Sequence, residues 1–318
     1  MMRSRTPRVL FAVAALATSL STATGVVAQS PPTRSLLALS KRDHTLAIVD
    51  PNTLQVVGRA PVGPDPHEVI ASSDGKTAYV SIYGGGRYHA LSVIDLVGYK
   101  ALPDIDTGAL NGPHGLAFVG GKLWFTAEGA KAVATYDPAS AKIVWIMGTG
   151  QNRTHMIYVT PDEKQIYTTN VGSATVSILE KVTLPPMGPP PGMRPPQGSL
   201  PPPPPSGGAP IRMDWNETVI PVGKGDEGFD VSPDGRALIS SLRDGDLVIY
   251  DAAARKEFKR VKIGHGAAGI LMDRDGNRAF IACGPDNYVA VLDLKTLEVT
   301  GNIDVGGEPD GLAWAIRP

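Results

Sequence analysis

From residue 35 to the C-terminus, short apolar runs alternate with clusters of glycine, proline and aspartate. One complete unit is legible between residues 62 and 96. A turn, Gly63-Pro64-Asp65-Pro66, leads into an apolar segment over 67–71. Ser73-Asp74-Gly75 then supplies an Asp-Gly turn of the kind that tolerates positive φ. Residues 77–81, Thr-Ala-Tyr-Val-Ser, are β-branched and aromatic, and Gly84 to Gly86 form a loop. Residues 91–95, Leu-Ser-Val-Ile-Asp, alternate apolar and polar, the period of a half-buried strand.

The same cassette returns along the chain. It appears at Asn111-Gly112-Pro113-His114 with Trp124-Phe125, and at Thr154-His155 with residues 166–170 and 175–178. It appears again at Glu227-Gly228-Phe229 with Ser232-Pro233-Asp234-Gly235, and at Ala268-Gly269-Ile270 with residues 280–282 and 288–293. A period of roughly 42 residues built from four short strands is the signature of a β-propeller. The chain begins out of phase: residues 35–40, 45–50 and 54–62 read as second, third and fourth strands with no first. Residues 308–314 repeat the first strand alone, so the two termini together complete one blade and leave no open sheet edge. The expectation is therefore an all-β fold, a propeller of six four-stranded blades. A seventh would require a degenerate unit within 182–218, where the proline content argues against strands.

Third strands end in Asp50, Asp95, Asp137, Asp251 and Asp293. A carboxylate there accepts backbone N–H bonds in an Asx-turn, which accounts for these residues without catalysis. The run Ile166-Tyr167-Thr168-Thr169-Asn170 followed by Gly172-Ser173-Ala174-Thr175-Val176-Ser177 resembles the YVTN β-propeller repeat, as do Ala78-Tyr79-Val80-Ser81 and Ser232-Pro233-Asp234-Gly235. The resemblance covers essentially the whole chain after its leader. It implies a fold like that of YncE-like and surface-layer-associated propellers, many of which have seven blades, and it says little about chemistry.

Two segments stand apart. Arg3, Arg5 and Arg8, an apolar stretch over 9–20 and Val26-Val27-Ala28 read as a signal peptide over 1–28, cleaved near Ala28, so the protein is expected in the periplasm or outside the cell. Residues 29–318 are then one propeller domain, without a transmembrane segment. Residues 184–210 are about half proline and suit polyproline II or disorder in a hairpin loop of blade four, as a solvated insertion or as a tether for a partner. The 318 residues carry a net charge of −1, so no overall field favours nucleic acid. The single cysteine, Cys283, rules out an internal disulfide.

Aligning the cassettes places His67, His114, His155, Glu227, Ala268 and Asp310 at one position, the start of the innermost strand. Repeat symmetry sets equivalent positions in a circle, so three imidazoles and two carboxylates converge at one mouth of the channel, with Arg153 beside them. Such a ring suits a polar ligand. It also suits a divalent transition metal held by His67, His114 and His155 with a coordination position left open. The structural alternative is that these residues are variants of a strand-start consensus. Two functions follow: an exported binding or scaffold propeller that recognises an envelope partner or small molecule through its loop face, or a metal-dependent lyase or hydrolase acting at the channel mouth.

Overall fold

A computed structural model describes residues 32–184, 212–221, 226–231, 236–241, 246–251, 256–273 and 275–318. At 212, 226–227, 231, 236–241, 250–251 and 256–257 the description extends to the backbone alone. The proposed leader and the proline-rich segment lie outside the described residues, except that residue 184 ends a strand.

The strands among the described residues form six four-stranded antiparallel sheets. Five are meanders of consecutive strands, such as Pro66–Ala71, Thr77–Ile82, Ala90–Asp95 and Lys100–Asp106 in blade two. Blade one is composite. Its innermost strand, Pro309–Ile316, comes from the end of the chain and pairs with Arg34–Ser40, which is followed by Thr45–Asp50 and Gln55–Pro61. The innermost strands touch in a closed circuit: Pro309–Ile316, Pro66–Ala71, Pro113–Val119, Thr154–Val159, Asp226–Val231, Ala267–Met272, and back to Pro309–Ile316. The protein is thus a six-bladed propeller closed by strands from both ends of its described chain.

Among the described residues the sheets of blades one, two, three and six are buried on both faces, which explains the unbroken apolar runs of their second strands, whereas the second strand of blade four, Gln165–Asn170, alternates buried and half-buried positions. In Arg34–Ser40, Leu37 and Leu39 pack toward Val69, Ala78, Val80 and Ile94 of blade two. Their neighbours Leu36 and Ala38 point the other way, onto Phe280, Ala282, Val289 and Val291 of blade six. One strand therefore serves two interfaces through its period of two.

The aspartates that end the third strands act as turn-formers. Asp50 Oδ1 accepts from the Asn52 amide at 2.9 Å, and Asp95 Oδ1 accepts from Val97 and Gly98 at 2.9 and 3.1 Å. Asp137 accepts from Ala139 at 2.9 Å, and Asp293 from Lys295 and Thr296 at 2.8 Å each. The side chain of Asp251 lies outside the described residues. In blade four, Thr175–Leu184 pairs with Arg212–Pro221, so the third and fourth strands run several residues further toward the proline-rich segment than their sequence pattern suggests. Residues 182–184 and 212–218 belong to that hairpin and not to a further blade.

Candidate functional site at the channel mouth

A recurrent β-bulge aims the ring residues inward. Pro66 pairs with Ile82 and Val69 with Val80, so His67 and Glu68 together oppose Ser81 alone. In the same way His114 and Gly115 oppose Thr126, His155 and Met156 oppose Thr169, and Ala268 and Gly269 oppose Ala282. The additional residue bends the strand and re-aims its side chains. Two positions before each of these ring residues the backbone is left-handed: Asp65 (φ 54°), Gly112 (65°), Arg153 (55°), Gly266 (58°) and Glu308 (52°). Opposing hydroxyls hold the bulges. Ser81 Oγ accepts from Glu68 N at 2.9 Å, Thr126 Oγ1 from Gly115 N at 2.8 Å, and Thr169 Oγ1 from Met156 N at 3.1 Å. The Thr126 hydroxyl then donates to the His155 carbonyl at 2.5 Å, tying blade three to blade four. A Cβ at Gly115 would lie 2.4 Å from that carbonyl, so only glycine lets the two inner strands approach.

These bulges open onto a cavity of about 560 Å³ lined by His67, His114, His155, Arg153 and Asp310, with Lys41, Arg42 and Glu308 toward its rim. Gly228 represents blade five on this wall, and the side chain of Glu227 lies outside the described residues. Blade six contributes Ala268, which leaves room where other blades place a polar group. Two charged pairs frame the opening, Lys41 Nζ to Asp310 Oδ2 at 3.1 Å and Arg42 Nη2 to Glu308 Oε1 at 2.9 Å.

The imidazoles form a continuous line. His67 Nδ1 lies 2.9 Å from His114 Nε2, and the rings of His114 and His155 are 3.8 Å apart between centroids. His155 Nδ1 makes a close contact with Glu128 Oε1. Glu128 Oε2 accepts from the Tyr83 hydroxyl at 2.5 Å and from Arg153 Nε at 3.4 Å. At the other end, Asp65 Oδ1 and Lys41 Nζ lie 3.1 and 3.0 Å from His67 Nε2. His114 and His155 are each 2% exposed and Glu128 is 6% exposed, whereas His67 is more open.

Burial holds His114 well below the usual histidine range, and the neighbouring His155, His67, Lys41 and Arg153 push the same way, so this ring is neutral near pH 7. A neutral imidazole carries one N–H. On Nε2 that proton is donated to His67 Nδ1; on Nδ1, which has no hydrogen-bond partner, it would be a buried donor without an acceptor, at a cost of about 1–3 kcal/mol. The Nε2–H tautomer is therefore preferred, and Nδ1 keeps its lone pair. His67 then accepts through Nδ1 and donates from Nε2 to Asp65, while Lys41 is served by Asp310. The hydrogen bond from His67 lowers Asp65 to about 2 despite its partial burial. Burial acts to raise Glu128, but the hydrogen bond and charge of His155, with Tyr83 and Arg153, outweigh it and leave the carboxyl below its ordinary value. Burial and the bond to Glu128 raise Tyr83 to about 12, so its phenol stays a donor.

Of the residues singled out in the sequence, His67, His114, His155, Asp310 and Arg153 meet on one cavity. The donor atoms gathered most closely are those of His114, His155 and Glu128, with His67 one step behind, bonded to His114. Glu128, Tyr83, Lys41 and Asp65 escape a reading of the ring position because they lie in other registers of the repeat. Glu128 follows the second strand of blade three, Lys122–Ala127, directly, at the start of the loop to the third strand. His265 does not fill the place left by Ala268: it is exposed and pairs with Asp286 at 2.9 Å. His44 and His89 are exposed, as their loop positions suggest.

No family model matches the chain. It is similar to autophagy-related protein 16 of Arabidopsis thaliana, 32% identical over 87 residues, or 27% of this chain, and spans 17% of that protein's length. Among solved structures it is similar to hydrazine synthase of Kuenenia stuttgartiensis, with a TM-score of 0.55, 16% identity and 93% of each chain covered. A Bacteroides caccae protein of unknown function gives a TM-score of 0.62 at 10% identity, covering 89% of this chain and 98% of that one. The dihydro-heme d1 dehydrogenase NirN, in complex with DHE, gives 0.54 at 11% identity, covering 87% and 74%. The chain is a β-propeller. At these identities the likeness extends to the fold alone.

Proposed function

We propose that this is an exported propeller of the YVTN type that binds a small polar molecule in the cavity at its channel mouth. The observation that carries this reading is the cavity itself. Its volume of about 560 Å³ is within the range of ~300–1,000 Å³ common for small-molecule sites, and polar groups from several blades converge on it. The bulges and their hydroxyl latches hold those groups in place before anything binds, which lowers the ordering cost of association. Both signs of charge face the opening, through Lys41, Arg42 and Arg153 and through Asp310 and Glu308, so a molecule bearing both donor and acceptor groups is favoured. Among the described residues no helix is long and apolar enough to cross a membrane. The basic-then-apolar leader supports export to the periplasm or beyond. The comparisons lend no support to a lyase or hydrolase.

The test is a thermal-shift screen of water-soluble metabolites on the wild-type chain and on Ala268→Trp, which fills the open side of the cavity. A compound present at about a hundred times its dissociation constant stabilises the folded state by ~2.7 kcal/mol, a shift of several degrees. The expected result is a compound that shifts the wild type and leaves Ala268→Trp unmoved. An equal shift in both would place binding elsewhere. N-terminal sequencing of protein recovered from the cell envelope should begin near Gln29; an intact Met1 there would remove the export reading.

A further inference from the structure

We propose that His114, His155 and Glu128 form a binding site for one divalent transition-metal ion of the zinc class at the floor of the channel-mouth cavity. The proposal rests on that cavity being the working site, and it names a ligand set that no single register of the repeat contains.

The donor atoms of the three residues all lie within 4.8 Å of one another. Donors placed ~2.0–2.2 Å from a common ion are separated by no more than about 4.4 Å, and the set lies close to this limit, so small side-chain rotations that part His155 from Glu128 and draw in His114 would place all three around one ion. All three residues are buried, and the hydrogen bonds of His114 Nε2 and of Glu128 Oε2 already have the arrangement that a bound ion needs, while the direct contact between His155 Nδ1 and Glu128 Oε1 opens to admit it. A metal-bound imidazole characteristically donates its other N–H to a neighbour, which fixes ring and tautomer. His114 does so through Nε2 to His67, leaving Nδ1 buried and without a partner. Buried polar atoms rarely lack partners, and a bound ion is one of the ordinary explanations for such an atom. Ligating carboxylates are themselves hydrogen-bonded, and Glu128 Oε2 receives Tyr83 and Arg153 while Oε1 faces His155. Two imidazoles and one carboxylate suit zinc and its neighbours better than calcium or magnesium, which prefer all-oxygen sites. His114 and His155 also line the cavity, so a fourth coordination position would open toward whatever occupies it.

The test uses the mature chain, stripped with EDTA and dialysed against zinc sulfate, with metal content by mass spectrometry and affinity by calorimetry. The expected result is one zinc per chain, with affinity reduced at least a hundredfold in His114→Ala and Glu128→Gln. Tyr83→Phe should lower it about tenfold through the carboxylate it positions. The double variant His89→Ala, His265→Ala should bind as the wild type, because those exposed histidines lie elsewhere. Substoichiometric zinc, unchanged affinity in Glu128→Gln, or loss in the exposed double variant would each overturn the proposal. If His114→Ala does not fold, the visible spectrum of the cobalt-loaded wild type decides: intense four-coordinate bands support the site, and a weak six-coordinate spectrum overturns it. A metabolite shift abolished by Ala268→Trp, without zinc uptake, would remove the metal site and leave the cavity reading standing. Zinc uptake without any such shift would do the reverse.

Discussion

His114 sits between two other imidazoles, and its burial sets a measurable pH dependence. Its folded pKa lies well below the ordinary 6.5. Below pH 6.5 the unfolded chain therefore takes up a proton that the folded chain refuses, and stability is lost as pH falls. This group alone gives a slope approaching ~1.4 kcal/mol per pH unit. In EDTA-stripped protein, urea melts between pH 7 and 5 should show that loss, and His114→Gln should flatten it; parallel curves would mean that His114 is charged in the fold. Gly115, next along the bulge, gives a second prediction. A methyl group there meets the backbone of His155, Met156 and Ile157 at 2.4–2.8 Å, where no side chain can move aside. Gly115→Ala should cost about 2 kcal/mol or more, read as a lower urea midpoint at unchanged slope. An unchanged midpoint would show that the two inner strands can separate without loss.

At the scale of the strand, the repeat made the ring residues legible because identical registers in successive blades must face the axis together. His67, His114, His155 and Asp310 were recoverable for that reason. Glu128 was not, since its carboxylate reaches the histidines from a loop of a different register, and a glutamate in a loop ordinarily reads as a solvated surface residue. The bulge was also hidden: His114-Gly115 spells a strand start, and nothing in it shows that both residues oppose Thr126. The third strands were legible as apolar–polar alternation, but the partners of the outer strands were not. Trp145 illustrates this, lying 5.6 Å from Trp124 within blade three and 5.3 Å from Trp215 of blade four between ring centroids. The three indoles tie two blades together near the rim. Trp145→Ala should cost about 2 kcal/mol, less than a fully buried tryptophan because the ring is partly exposed. Because Trp145 and Trp215 touch, the double variant Trp145→Ala, Trp215→Ala should fall short of the sum by at least ~0.5 kcal/mol. Strict additivity would show that the two rings do not couple.

At the scale of the molecule, stability rests on closure. Among the described residues, blades one, two, three and six bury both faces against their neighbours, so opening one of those seams exposes two apolar surfaces at once. Among the described sheets, the composite blade is the one whose closure depends on pairing between the two ends of the described chain rather than on a hairpin. Its seam is continuous: Pro309–Ile316 pairs along Arg34–Ser40, and Arg317 N donates to Thr33 O at 2.8 Å. Deleting residues 309–318 should therefore do more than shorten one sheet. It leaves Leu36 to Leu39 without their inner partner and removes Asp310 from the cavity, and the product should aggregate or unfold without a single cooperative transition. The same edge can instead be made covalent. Thr33 and Arg317 are hydrogen-bonded neighbours, so a short glycine linker can join residue 318 to residue 32, with new termini cut between the exposed Gly108 and Ala109 of an inter-blade loop. That permutant keeps every sheet at four strands and turns the seam into an ordinary hairpin, while loop-closure entropy changes only slowly with the length of the join. Its melting temperature should stay within a few degrees of the wild type, and its cavity should keep the same metabolite and zinc responses. If the truncated chain melts cooperatively and the permutant does not fold, closure is not what holds the ring, and the strength must lie within individual blades.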